Sequence, residues 1–208
     1  MADKKITQLT QVNSLTGAEL LPLAQDGVTK SASVDQLRGY KVYTALLTQS
    51  GGGGEAYSSG GDLVIGVSYR INNLAIGMDF TNVGALNNNI GTWFVATGTT
   101  PNSWGIDGDE VLYYNPGAPV VTVLENTIGN VWFEYDSVGI YKINSSGLFT
   151  IDKTTTITSQ SAWDDTGSTQ IYVDSSSLIF LETLGFFPSI ASADNIVSRT
   201  MLEIRVYN

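Results

Sequence analysis

The chain has 208 residues, 42% of them apolar and only 14% charged, with a formal net charge of −10 and neither cysteine nor histidine. That length buries a substantial core as one large domain or two small ones, and the apolar share is ordinary for a globular protein. Disulfides, thiolate or imidazole metal sites and a Ser-His-Asp relay are excluded, and ten Lys and Arg with no basic run provide no surface for tracking phosphates or an anionic membrane.

No nucleic-acid partner and no membrane insertion are therefore expected. The opening MADKKITQLTQ lacks the apolar core of a secretory signal, and no run approaches a membrane span, which implies assembly in a cytoplasm. Gly, Ser, Thr and Asn are abundant, a composition suited to many short strands and turns.

Residues 1–39 read as a small unit of their own. Leu20–Gln25 is a short strand with Pro22 marking an edge, Asp26-Gly27 a two-residue hairpin turn, and Val28–Ala32 the returning strand. Ser33 caps a short helix start with Gln36 three residues on, and Gly39 ends it. So small a unit needs another surface to lie on.

Lys41–Thr48 (KVYTALLT) is predicted as a strand and Gln49–Gly54 (QSGGGG) as a hinge, since four glycines have much backbone entropy to lose. The glycines are not read as a phosphate loop, because no strand–GxxxxGK–helix context follows. Val64–Ile71, Trp93–Thr97 and Val111–Tyr114 are strands between Asn- and Gly-rich loops, and the segment closes at Asn115-Pro116-Gly117-Ala118. Breakers on both sides predict an inserted module over 53–117.

Pro119–Ile151 is predicted as an antiparallel meander of four runs separated by ENTIGN, DSVG and NSSG. Val131, Phe133 and Tyr135 alternate with Trp132 and Glu134, the period of a strand with two distinct faces. Its expected neighbours are KVYTALLT and the terminal LEIRVY. Lys153–Ser168 is a polar stretch, Gln170–Val173 and Leu178–Glu182 are strands, and Phe186-Phe187-Pro188 is a turn or buried corner. Asp194–Val197 is a short helical turn, and Thr200–Tyr207 is a closing strand. The fold class is all-β: a jelly-roll-like β-sandwich from 40–52 and 118–208, a small inserted β module at 53–117, and a short anchoring arm at 1–39.

No motif implies catalysis, a cofactor or a metal. Asp107-Gly108-Asp109-Glu110 offers the oxygens that a hard cation wants but lacks EF-hand spacing, and reads as an acidic turn. Asp164-Asp165-Thr166-Gly167 reads the same way; its DTG tripeptide sits in polar sequence without the apolar cleft an aspartic protease needs. Among the four tryptophans, Trp104 (PNSWG) and Trp163 (SAWDD) lie in polar loops and are the candidates for glycan contact, while Trp93 and Trp132 read as core. No carboxylate pair for glycoside hydrolysis is identifiable without spatial spacing.

The stretch ITQLTQVNSLTGAELLPLAQDGVTKSASVDQL resembles a virion-attachment leader of tailed-bacteriophage fibre and virion proteins, matching at Ile6, Leu9, Leu15, Gly17, Glu19, Leu20, Pro22, Asp26, Gly27, Thr29, Val34 and Leu37. The resemblance implies anchoring through Ile6, Leu9, Leu15, Leu20, Leu21, Pro22, Asp26, Gly27, Val34 and Leu37. DFTNVGALNNNIGTWFVATGTTPNSWGIDGDEVL is similar to a module of phage structural proteins. VYTALLTQSG, APVVTVLENTIG, Gly139-Ile140-Tyr141 and EIRVYN are similar to pieces of one phage β-domain, in which YTALLTQSG leads almost directly into VLENT. What the family implies is a non-enzymatic head or tail appendage, exposed on the virion, that docks on a capsid or tail protein through residues 1–39. It also implies a homotrimer, with a dimer as the alternative assembly. The alternative functions are a carbohydrate-binding host-recognition module with a host-surface glycan as partner and, more remotely, a virion-associated glycosidase.

Overall fold

The computed structural model describes residues 20–25, 27–33, 37–159, 167–185 and 190–208. The chain separates into two compact units, Met1–Tyr40 and Lys41–Asn208. It is all-β, as expected.

The first unit holds a hairpin of β1 (Leu20–Gln25) and β2 (Val28–Ser33), in register from Leu20 opposite Ser33 to Gln25 opposite Val28. Gly27 takes the positive φ of 75° that the turn requires. The expected helix start falls largely on residues 34–36, outside the described residues.

In the second unit β3 (Tyr40–Thr48), β8 (Val120–Asn126), β11 (Thr154–Ser159) and β15 (Thr200–Tyr207) form one sheet in the order β11-β15-β3-β8. A second sheet has the order β12-β13-β10-β9, from β9 (Val131–Ser137), β10 (Ile140–Ser145), β12 (Gly167–Val173) and β13 (Leu178–Gly185), with the two-residue β14 (Ala191–Ser192) also paired to the end of β13. Alternate residues of each sheet point inward and interdigitate. Tyr43, Ala45, Leu47, Leu202 and Ile204 meet Phe133, Tyr141, Ile143, Ile179 and Leu181 in one buried core. At roughly 25 cal/mol per Å² of apolar area, each such large side chain stabilises the fold by about 1.5–3 kcal/mol.

A third sheet, β4-β7-β5-β6, combines β4 (Ala56–Ser58), β5 (Ser68–Ile71), β6 (Trp93–Val95) and β7 (Leu112–Tyr114) over a separate core that includes Ile71, Phe80, Phe94 and Leu112. Its strands are shorter than the sequence suggests. The predicted strand over 64–71 begins only at Ser68, because Val64 to Val67 close a turn through the Val67 N–H to Val64 carbonyl bond.

Three expectations are corrected. The meander over 119–151 is split: β8 lies beside β3 in one sheet, while β9 and β10 lie in the other. The ENTIGN segment crosses between them. The Asn126 carboxamide accepts from the Ile128 and Gly129 N–H groups, and Thr127 is tied to Val42 by its backbone N–H (2.8 Å) and by its hydroxyl, which accepts from the Val42 N–H (2.7 Å). Ile128 drops into the core. The polar run after Lys153 is in part a strand, β11, whose Thr154–Ser159 register pairs with Val206–Met201. Asp194–Val197 is irregular, for a reason given below.

The glycine run is likewise no free hinge. A Cβ on Gly53 would lie 2.0 Å from Cδ1 of Tyr135, and one on Gly117 would lie 2.6 Å from the Gly53 nitrogen. The segments leaving β3 and returning to β8 thus cross backbone to backbone, under an aromatic ring, where only glycine fits. The buried Gln49 side chain joins them, donating to the carbonyls of Gly51 (2.5 Å) and Gly117 (3.3 Å). Gly54, one residue on, faces open space.

Gly53→Ala is expected to destabilise the protein by about 1–3 kcal/mol, the range for overpacking a filled site, whereas Gly54→Ala leaves stability unchanged or slightly raised. Urea unfolding of the two variants beside the parent measures the difference.

Candidate functional site

The implied anchoring residues fall in the first unit. Ile6, Leu9, Leu15, Asp26 and Val34 lie outside the described residues, as does the glycan candidate Trp163. Leu20, Leu21, Val28 and Leu37 are 67%, 42%, 57% and 50% exposed, and Pro22 and Gly27 are also exposed. A two-stranded ribbon of six-residue strands has no interior, so leucines on both of its faces stay accessible.

Trp104 is committed to the module. Its indole N–H donates to the Gly61 carbonyl at 3.0 Å, and its ring stands edge-on to Phe80 at 5.2 Å. The acidic turn over 107–110 is clamped by two amides, Asn73 donating to the Asp109 carbonyl and Asn72 to the Glu110 carbonyl. Among the described residues no three carboxylates converge in a way that would hold a cation.

Two polar clusters organise the loops between strands. Asp79 accepts from the Thr81 N–H (3.0 Å) and hydroxyl (2.7 Å), from the Asn88 amide (3.3 Å) and from the Asn102 amide (2.9 Å). These bonds to its charged form, the Thr81 hydroxyl foremost, hold its carboxyl well below the usual carboxylate range. Asp194 accepts from the hydroxyls of Tyr135 (3.0 Å) and Tyr141 (3.1 Å) and from the Gly139 N–H (2.8 Å). The adjoining Asn195 N–H donates to Gln49, and Asn195 Oδ1 accepts from Gly51. Burial, reinforced by the Asp194 charge, raises the Tyr141 phenol. These partners hold residues 194–195 in a bend beside β9 and β10, with Asn195 at a positive φ of 65°, and account for the missing helical turn. They join segments far apart in the chain, so spacing gave no sign of them.

A further arrangement runs across the outer faces of two sheets. Tyr57, Tyr113, Arg70 and Trp93 are cross-strand neighbours in the module sheet. The Arg70 guanidinium lies 4.7 Å from the Tyr113 ring centroid and 5.6 Å from that of Trp93. Trp93 then stacks on Trp132 of β9, with centroids 5.7 Å apart and planes at 11°. From there the row continues through Trp132 opposite Asn144, Glu134 opposite Lys142, Lys142 opposite Phe180, and Phe180 opposite Tyr172. Glu134 is bonded by the Asn144 amide at 2.8 Å; its burial raises its carboxyl pKa against the opposing pull of the Trp132 indole N–H and of Lys142.

The row also joins the module to the sandwich. Asn130 donates to the Trp93 carbonyl, the Phe133 N–H to the Ser68 hydroxyl, and the Val121 N–H to the Gly66 carbonyl. Trp93 and Trp132, read from sequence as core, are half-buried on this outer surface. Outward positions of a strand alternate with core positions in the same run, so both were visible as strand residues without their face being assigned.

The Asp79 cluster gives a pH prediction with a definite sign. Its folded pKa lies below the ordinary value of 3.8, so the stability it contributes is complete above that value and is lost as the pH falls through the folded one. Asp79→Asn is expected to lower the urea midpoint at neutral pH, and the gap from the parent is expected to close progressively below about pH 4. A gap that persists unchanged into acid contradicts the assignment.

Comparison with protein-family models, with curated proteins and with solved structures finds no match for this chain.

Proposed function

We propose that the chain is a non-enzymatic structural appendage of a bacteriophage particle, docked through residues 1–39 on a capsid or tail protein and displaying residues 41–208 outward. The observation that carries the reading is the hairpin of the first unit, a ribbon without an interior that leaves Leu20, Leu21 and Val28 accessible. Burying such side chains against a partner contributes about 1.5–3 kcal/mol each, and a partner that binds only the ordered ribbon stabilises it by mass action. The resemblance of the leader to virion-attachment segments supplies the partner class.

The second unit suits display. Its two cores and the bonds between module and sandwich favour a rigid body. A homotrimer is the assembly this reading favours, with closed symmetry multiplying the anchoring contacts.

Deleting residues 1–38 is expected to abolish incorporation into particles while residues 41–208 keep the melting temperature of the full chain. Normal incorporation of the truncated protein contradicts the anchoring role.

A further inference from the structure

Where the module sheet meets the sandwich a cleft of about 170 Å³ opens, lined by Asn87, Thr92, Trp93, Asn130, Trp132 and Ser146. We propose that this cleft binds one ring of a neutral oligosaccharide, whose neighbouring units lie along the aromatic row on either side. The proposal goes beyond the anchoring role and does not depend on it.

The chemistry of the lining selects the ligand class. Trp93 and Trp132, stacked on each other, line the cleft with the indole surface their stacking leaves uncovered, apolar area suited to the C–H groups of a pyranose. Neutral amides and hydroxyls lie beside it with bonding capacity left over. Asn87 Oδ1 accepts from the Thr92 hydroxyl (2.6 Å) and the Asn89 N–H (3.0 Å), which leaves the Asn87 amide hydrogens unpaired among the described residues. Asn130 donates to the Trp93 carbonyl (2.9 Å) and keeps its own carbonyl oxygen as an acceptor. Ser146 stands exposed at the rim. Aromatic surface with a few convergent polar groups is the usual make-up of a small-ligand site, and alternating C–H faces and hydroxyls match this lining best.

Charge narrows the class further. No lining residue is ionisable, so nothing in the cleft pairs with a sialate, sulfate or phosphate. A nucleotide would carry its phosphates to a molecule of net charge −10.

The surroundings extend the site in two directions. Along the sheets lie Asn144 and Glu134, planar groups of the kind that bond sugar hydroxyl pairs, while the nearby Arg70 guanidinium is engaged by the Trp93 and Tyr113 rings and by Asn72 Oδ1. On the other side an apolar slot of about 410 Å³ shares Leu86 and Asn130 with the cleft and is bounded by Val95, Val123 and Val131. It has room for an apolar substituent of a neighbouring sugar unit.

The test presents the purified full chain to a printed array of neutral hexose and N-acetylhexosamine oligosaccharides together with sialylated ones, followed by titration of the best binder with tryptophan fluorescence as readout. Binding to neutral glycans is expected, weakened about tenfold or more (~1.4 kcal/mol) in Ser146→Arg, which fills the cleft from an exposed turn, and unchanged in Trp104→Phe. Melting curves of both variants verify the fold, and Trp132→Ala is a second cleft variant if it folds. Three results overturn the proposal: no neutral glycan bound, binding confined to sialylated glycans, or undiminished affinity in Ser146→Arg. Loss in Trp104→Phe with retention in Ser146→Arg places any recognition elsewhere and also overturns it.

Discussion

The structure depends on a single strand being paired on both sides by segments distant in sequence. β3 has β8 at one edge and β15 at the other. Its inward side chains Tyr43, Ala45 and Leu47 are at most 1% exposed. The chain that leaves β3 at Thr48 must therefore return to its edge at Val120, and the chain that ends at Tyr207 must close on its other edge. Loop-closure entropy grows slowly with length, so a module of this size between β3 and β8 adds little to the cost of that return. The cost falls instead on geometry: outgoing and returning backbones have to pass each other in a narrow space, and Gly53 and Gly117 occupy it.

The same closure explains where the polar side chains went. Charge is scarce, and the irregular crossings are held by amides, hydroxyls and two aspartates. Gln49 ties the crossing to Asn195, Asp194 ties the loop before β15 to Tyr135 and Tyr141, and Thr127 and Asn126 fix the passage from one sheet to the other. Networks whose members are satisfied in a low-dielectric setting rigidify a fold and specify one arrangement. For a protein proposed to display surfaces at a distance from its anchor, rigidity between module and sandwich is the property that matters.

Much of the architecture was legible in sequence. Strict alternation in VWFEY and in TMLEIRVY, with turn residues at each end, gave β9 and β15, and the Asp-Gly pair gave the first hairpin. The glycine run misled because composition reports the entropy of a free chain and says nothing of the aromatic ring and backbone packed on it. TTTITS reads as a polar stretch because threonine is polar, although its β-branch suits a strand that has one outward face. The split of the meander was hidden, since hydrophobic period marks a strand and its faces but does not say which sheet a strand joins. The outer aromatic row was hidden for a related reason. Its members sit on eight strands of two sheets, and only register brings them into line.

The functional account thus joins an accessible ribbon in the first unit to a rigid two-core body in the second. Its central claim is tested most directly by a density map of an intact particle carrying this chain. The account predicts residues 1–39 covered by a neighbouring capsid or tail protein, with residues 41–208 facing solvent. Attachment through the sandwich with the ribbon left in solvent, or absence of the chain from the particle, contradicts it.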